Sequence, residues 1–147
     1  MTIHTATLSD LPALSELFDA YRVFYGKESD LAGAHAFLGA RLELGEAVIY
    51  MAKNQAGTAV GFVQLYPLFS STRMKRLWLL NDLYVGPEWR GQGISIALID
   101  AAKDWCRSTG ACGLLLETAK DNDIGNQLYP RTGFVLDQDH NFYYWDV

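Results

Sequence analysis

Six consecutive residues of this sequence, Arg90-Gly91-Gln92-Gly93-Ile94-Ser95, have the types and spacing to hold an anion. A strand-forming run precedes them and a helix-forming run follows. Glycine at 91 and 93 permits positive φ and lets a ligand approach the backbone closely. The start of the next helix directs several unpaired amides at one spot, with the positive end of the helix dipole behind them. Such a spot suits a pyrophosphate, to which Arg90 and the Ser95 hydroxyl would add donors. Taken alone, glycine-x-glycine at a helix start is as readily a tight turn. Two nucleotide sites are excluded by the letters. A Walker loop needs Gly-Lys-Ser or Gly-Lys-Thr where Gly93-Ile94-Ser95 stands. A dinucleotide fingerprint needs a third glycine at Ile96 and repeated strand-helix-strand units.

The elements that must position this turn can be read from periodicity. Residues 2–8 alternate as a first strand, and Ser9-Asp10 caps a helix that runs from about residue 10 to Tyr25, with Pro12 tolerated in its first turn. Leu11, Leu14, Leu17, Phe18 and Tyr21 form its apolar stripe. A second helix is expected over 30–44, presenting Leu31, Ala34, Leu38 and Leu42 and stopping at Gly45. Residues 47–53 and 59–67 read as strands joined by a hairpin at Asn54-Gln55-Ala56-Gly57.

Residues 69–76 are polar and basic, with Arg73, Lys75 and Arg76 read as a solvated loop and contact with a ligand phosphate or an acidic substrate group as the alternative, and 77–85 reads as a central strand. After the glycine turn, Ile94, Ala97, Leu98, Ala101, Ala102 and Trp105 follow helical offsets until Gly110. Leu114-Leu115-Leu116 is a short buried strand, Asp121-Asn122 caps a helix reaching about Thr132, and residues 134–136 and 142–145 read as two final strands. The sum is an α/β fold: a mixed, mostly antiparallel central sheet flanked by helices, with one parallel crossover through the helix after the turn.

Bulk properties narrow the function classes. A chain of 147 residues, 50% hydrophobic, fits one domain over residues 1–147 with a full core. The net charge of −5 gives no positive field, so no nucleic-acid partner is expected. Cys106, Cys112, His4, His35 and His140 lack metal-ligand or redox-motif spacing, so no metal and free thiols are expected. The N-terminus lacks a secretory signal and no apolar run approaches the roughly 18 residues of a membrane span, which predicts a soluble, cytoplasmic protein with no membrane partner.

With those letters in place, the chain resembles the GNAT superfamily of N-acetyltransferases. That family's signature is Arg or Gln, two residues, Gly, one residue, then Gly or Ala; Arg90 to Ser95 matches it except for Ser95 at the last position. The approach Asn81-Asp82-Leu83-Tyr84-Val85-Gly86-Pro87-Glu88-Trp89 looks like the family's fourth strand. A second motif, Asn122, then Tyr129, then Gly133-Phe134, also matches. The run through residues 69–83 further looks like the branch containing fungal histone and polyamine acetyltransferases, which does not fix the substrate.

The resemblance implies acetyl-CoA as co-substrate, and direct attack by a primary amine of a small molecule or peptide within a ternary complex. It also implies a homodimer, for which the aromatic run Phe142-Tyr143-Tyr144-Trp145 offers either an interface or core packing. A bulge in the fourth strand would splay it from the fifth, a splayed strand pair typical of the acyl-CoA N-acyltransferase fold. Backbone groups of Leu83, Tyr84 and Val85 would then hold the pantetheine arm, where a fixed amide can stabilise a developing oxyanion. Residues Arg90, Gly91, Gln92, Gly93, Ile94 and Ser95 would bind the pyrophosphate, and Asn122 and Tyr129 would contact the coenzyme.

Tyr129 matches the family's frequent general acid: a phenol with a pKa of about 10 can protonate a thiolate whose own pKa is nearer 8.5. Pro130 restrains the residue before it and so bears on the orientation of Tyr129. The amine arrives protonated and needs a proton acceptor. Asp82 and Glu117 are the candidates, each with a structural carboxylate as the alternative. An acyl-CoA-binding module without catalysis is the competing function.

Overall fold

The computed structural model describes residues 1–147, which fall into two compact units, Met1–Leu116 and Glu117–Val147. The first unit contains β1 (Thr2–Thr5), α1 (Leu11–Phe24), α2 (Leu31–Glu43), β2 (Val48–Lys53), β3 (Ala59–Ser70), β4 (Lys75–Val85), α3 (Ile94–Ser108) and β5 (Leu114–Leu115). The second contains α4 (Asp123–Arg131). No helix is long and apolar enough to cross a membrane.

In the first unit the strands form one sheet in the order β1-β2-β3-β4-β5. The first three pairings are antiparallel and β4 pairs with β5 in parallel, as the crossover through α3 requires. One face carries α1 and α2. Leu14 and Phe18 of α1 and Leu38 of α2 pack there with Ile49, Met51, Phe62 and Tyr84 of the sheet. Phe18 and Tyr21 meet the Phe62 ring at 6.1 and 5.9 Å, both edge-on, a preferred aromatic geometry. Asp19 fastens the two helices by accepting from the Ser29 hydroxyl and the Asp30 amide at 2.6 and 2.7 Å.

The opposite face belongs to α3. Successive residues of a strand point to opposite faces, so Gly61 lies across the sheet from its neighbour Phe62, and a Cβ there would meet Leu98 of α3 at 3.4 Å. Leu98 and Ile99 are fully buried. Burial of such a side chain contributes roughly 1.5–3 kcal/mol, so these two residues seat the helix and thereby fix the turn at its start. At its far end Trp105 meets Trp78 edge-on at 5.8 Å, and the Trp78 indole donates to Thr109 Oγ1 at 2.9 Å.

Several expectations need correction. The first strand ends at Thr5 rather than residue 8, because Leu8–Asp10 already forms a helical turn leading into α1. The basic segment 69–76 is solvent-exposed for most of its length but is less of a loop than expected: β3 continues to Ser70 and β4 begins at Lys75, leaving an exposed turn at 71–74 in which Met74 takes φ 50°. The Arg76 guanidinium covers the rings of Phe69 and Trp78 at 4.8 and 5.3 Å, so a charged residue serves as a packing group within the ladder. Residues 134–136 and 142–145 form no strands; their composition favours extended chain, but a strand exists only where a second backbone pairs with it.

Candidate active site

The fourth strand carries a bulge. Gln64 of β3 lies opposite Asp82 while the next residue, Leu65, lies opposite Leu80, so Asn81 is the extra residue. The insertion reverses the alternation. Trp78 and Leu80 share the α3 face, whereas Asp82 and Tyr84 share the face covered by α1 and α2. Pairing with β5 ends at Leu79, so from Leu80 to Val85 that edge of β4 has no strand partner. The splayed pair is thus present in this chain, with the bulge at its root.

Below the bulge sits a polar pair within apolar surroundings. Asp82 is buried at 5% exposure and Gln64 is completely buried. The Gln64 Nε2 donates to Asp82 Oδ2 at 2.7 Å, and the Asn81 amide donates to the same oxygen at 3.1 Å. The Gln64 Oε1 finds no donor. Nearby, burial, the charge of Asp82 and, in the opposite sense, Arg41 and the Gln64 amide act on the Tyr66 phenol, whose pKa is pushed up to about 12. Gln64 escaped sequence reasoning; its signal is a lone amide inside the apolar run Val60-Gly61-Phe62-Val63-Gln64-Leu65.

The glycine turn follows directly. Gly91 and Gly93 have φ 74° and 78°, and the space where their Cβ atoms would stand is open. Gly93 is the N-cap of α3 and no side chain caps that end, so its first-turn amides are not claimed by a capping group. Ile94 is buried and anchors the turn, Ser95 is half-buried, and Gln92 makes only a long contact of 3.5 Å to the Glu88 carbonyl. Arg90 points elsewhere in part: its Nε donates to the Val85 carbonyl at 3.0 Å, and its guanidinium lies over Phe24 and Tyr84. It therefore fixes the end of β4 and occupies one of the backbone groups expected to face the pantetheine. Tyr84 is a core residue, while the Leu83 side chain is half-buried. An open, positive-φ backbone at an uncapped helix start fits the pyrophosphate of a coenzyme A group.

In the second unit, the Asn122 side chain is the N-cap of α4. Its Oδ1 accepts from the Gly125 amide at 3.1 Å and its Nδ2 donates to Thr118 Oγ1 at 2.8 Å, which is the helix-cap alternative realised. A Cβ on Gly125 would stand 2.6 Å from Asn122 Nδ2 and 3.2 Å from the Tyr129 ring, so this glycine lets cap and ring approach one another. Tyr129 meets Phe134 edge-on at 5.8 Å, and its carbonyl accepts from Thr132 Oγ1 and the Phe134 amide. The four motif residues 122, 129, 133 and 134 are thus joined by the cap and the end of one helix. Glu117 is exposed just before it. Cys106 donates to the Gly113 carbonyl and burial pushes its thiol up, which makes it a poor nucleophile.

Known proteins share this fold. Residues 12–134 match the acetyltransferase (GNAT) family model. The chain is 47% identical to the uncharacterized N-acetyltransferase YhfO of Bacillus subtilis (strain 168), over 93% of this chain and 91% of that one. It is 33% identical to a protein of Haemophilus influenzae named probable acetyltransferase, over 82% and 83% of the two chains. A crystal structure of a probable acetyltransferase, 40% identical, matches with a TM-score of 0.96 over 100% of this chain, C-terminal residues included, and 98% of that chain. The chain belongs to the GNAT family of acetyltransferases.

Proposed function

We propose that the protein transfers the acetyl group of acetyl-CoA to a primary amine of a small molecule or peptide, by direct attack in a ternary complex. The observation that carries this reading is the β4 edge beyond Leu79, bulged at Asn81 and without a strand partner, which leads into an open, uncapped helix start. Bound there, acetyl-CoA supplies an activated thioester. The amides of Arg90 to Ser95 would hold its pyrophosphate, and the unpaired β4 edge at Leu83 and the Val85 N–H would hold the pantetheine by strand-like hydrogen bonds, with the backbone of Tyr84 between them turned to Phe62 of β3.

Asp82 is the favoured proton acceptor for the amine. It is buried beside the bulge and makes no ion pair, so a cation is the partner its charge lacks. Glu117, exposed in the second unit, is the other acceptor in this reading. Tyr129 is the general acid and Asn122 orders the helix that carries it. The family match runs from residue 12 to 134 across both compact units, which supports a single domain over residues 1–147. A cytoplasmic location goes with an intracellular co-substrate.

The test is thiol release from acetyl-CoA across polyamines, amino acids, aminoglycosides and peptides with free amines. Turnover on one class, with the acetylated amine identified by mass spectrometry, is expected. Tight acetyl-CoA binding without turnover on any amine would instead favour the acyl-CoA-binding module.

A further inference from the structure

Two charges of opposite sign bound one aromatic layer of the first unit. Asp82 is the only charged side chain that the fold buries. Both of its side-chain hydrogen bonds end on Oδ2, which leaves Oδ1 to accept a donor, and the Gln64 Oε1 beside it is buried without one. Phe62, Gln64 and Tyr66 alternate along β3 onto the face that carries α1 and α2. Arg41 of α2 stands over the same layer. Its guanidinium lies above the Phe37 ring at 4.7 Å, Phe37 stacks on Phe18 at 5.9 Å, and Phe18 meets Phe62, the neighbour of Gln64 on that face. The Tyr66 phenol feels both charges: burial raises its pKa most, Asp82 raises it further, and Arg41 acts in the opposite sense.

Arg41 has a partner that holds it only loosely. Its Nε lies 2.6 Å from Glu46 Oε2, but the Glu46 side chain is 49% exposed, so water screens the pair, and the two Nη groups are left for an incoming anion. We propose that the acceptor of this site is an amine that carries its own carboxylate, with a free amino acid as the simplest member: its ammonium meets Asp82 Oδ1 and Gln64 Oε1, and its carboxylate meets Arg41. The inference rests on the acetyl transfer proposed above and names the substrate class. The count of charges decides against a polycation. A polyamine or an aminoglycoside brings several ammonium groups to one buried carboxylate, and the second of them would meet the Arg41 guanidinium, a like charge. A zwitterion instead gives each of the two charges its counterion and leaves none over.

Thiol release from acetyl-CoA by the full-length protein tests this with acceptors that differ only in the carboxylate: each amino acid against its carboxamide, with spermidine and an aminoglycoside as polycations. At least one amino acid should exceed its carboxamide in kcat/KM by roughly 10–100-fold, the difference lying in KM, as loss of a hydrogen bond to a charged group implies. In Arg41→Gln that ratio should fall towards one. Both acceptors are measured on the same sample, so a general loss of folded enzyme leaves the ratio unmoved. Glu46→Gln removes the competing carboxylate from an exposed position and should lower the KM of the amino acid. Equal turnover of acid and carboxamide, an unchanged ratio in Arg41→Gln, or preferred turnover of the polycations would overturn the zwitterion and leave acetyl transfer standing. Absence of turnover on every amine would overturn both.

Discussion

Gln64 and Asp82 stand directly opposite one another across the β3–β4 ladder, with the Gln64 Nε2 donating to Asp82 Oδ2 at 2.7 Å in a fully buried setting. With strict alternation from Leu80, Asp82 would share the α3 face with it; the bulge at Asn81 turns the carboxylate to Gln64 instead. One backbone irregularity thus brings an acid to the face of the sheet opposite Leu80. Replacing Gln64 with Leu leaves the carboxylate with the Asn81 amide alone. Loss of a hydrogen bond to a buried charged group should lower stability by about 1.5–3 kcal/mol, read from the urea midpoint at constant slope.

Asp82→Asn separates folding from chemistry. An Asn oxygen still accepts the Gln64 amide, so the urea midpoint should move little. Removal of a proton acceptor lowers kcat/KM by roughly 10²–10⁴-fold for the amine that gives turnover, while acetyl-CoA affinity holds. Activity within a factor of a few of the parent would transfer the role to Glu117 or to water.

Tyr66 gives the same region a signature at high pH. Its pKa rises from 10.0 to about 12, chiefly through burial and then through the charge of Asp82. A folded-state pKa above the unfolded value means that its contribution to stability is complete below pH 10 and is lost as pH rises from about 10 towards 12. Tyrosinate absorbance of the parent minus Tyr66→Phe should place one phenol near the upper end of that range, and the variant should lose less stability across it. A difference titration centred at 10 would contradict the burial.

At the glycine turn, Gly93→Ala meets open space but a φ of 78°. A left-handed conformation costs an L-residue roughly 1–2 kcal/mol, so the protein should still fold. The methyl group would stand at the uncapped helix start, where backbone approach is needed, and the Kd for acetyl-CoA should rise at least about tenfold, equivalent to roughly 1.4 kcal/mol. Calorimetric titration with acetyl-CoA checks both the affinity and, through stoichiometry, the folded fraction. An unchanged Kd would move the pyrophosphate away from this turn.

Much of this was legible in the letters because it depends on local chemistry. The helical spacing of Leu11, Leu14 and Phe18, and that of Ile94, Leu98 and Ala102, reports faces that are in fact buried. Gly91 and Gly93 have the positive φ their type suggested. The bulge was implied only by resemblance, since nothing in Leu80-Asn81-Asp82-Leu83 distinguishes an inserted residue from an alternating one; register is a property of two strands. Arg76 was read as solvated because charge suggests water, yet its stem and planar head cover Phe69. The terminal aromatic run was read as strands from composition, and composition cannot name the partner backbone.

A last pH dependence lies far from the turn, where Asp10 ties the entry of α1 to the first two strands. Burial works against its ionised form, but Lys53 Nζ at 2.9 Å, the Thr7 amide at 3.0 Å and His4 at 3.3 Å outweigh it and hold the carboxyl well below its ordinary 3.8. A depressed pKa places the stabilisation above the unfolded value and removes it as pH falls below about 3.8. Asp10→Asn should therefore be less stable than the parent at neutral pH by roughly 1.5–3 kcal/mol, the range for hydrogen bonds to a charged group. The gap should close as pH falls below about 3.8, because the parent loses what the variant never had. Urea unfolding of both proteins at successive pH values measures it, and a gap that stays constant down to pH 3 would mean that the Asp10 charge is not what joins His4, Thr7 and Lys53.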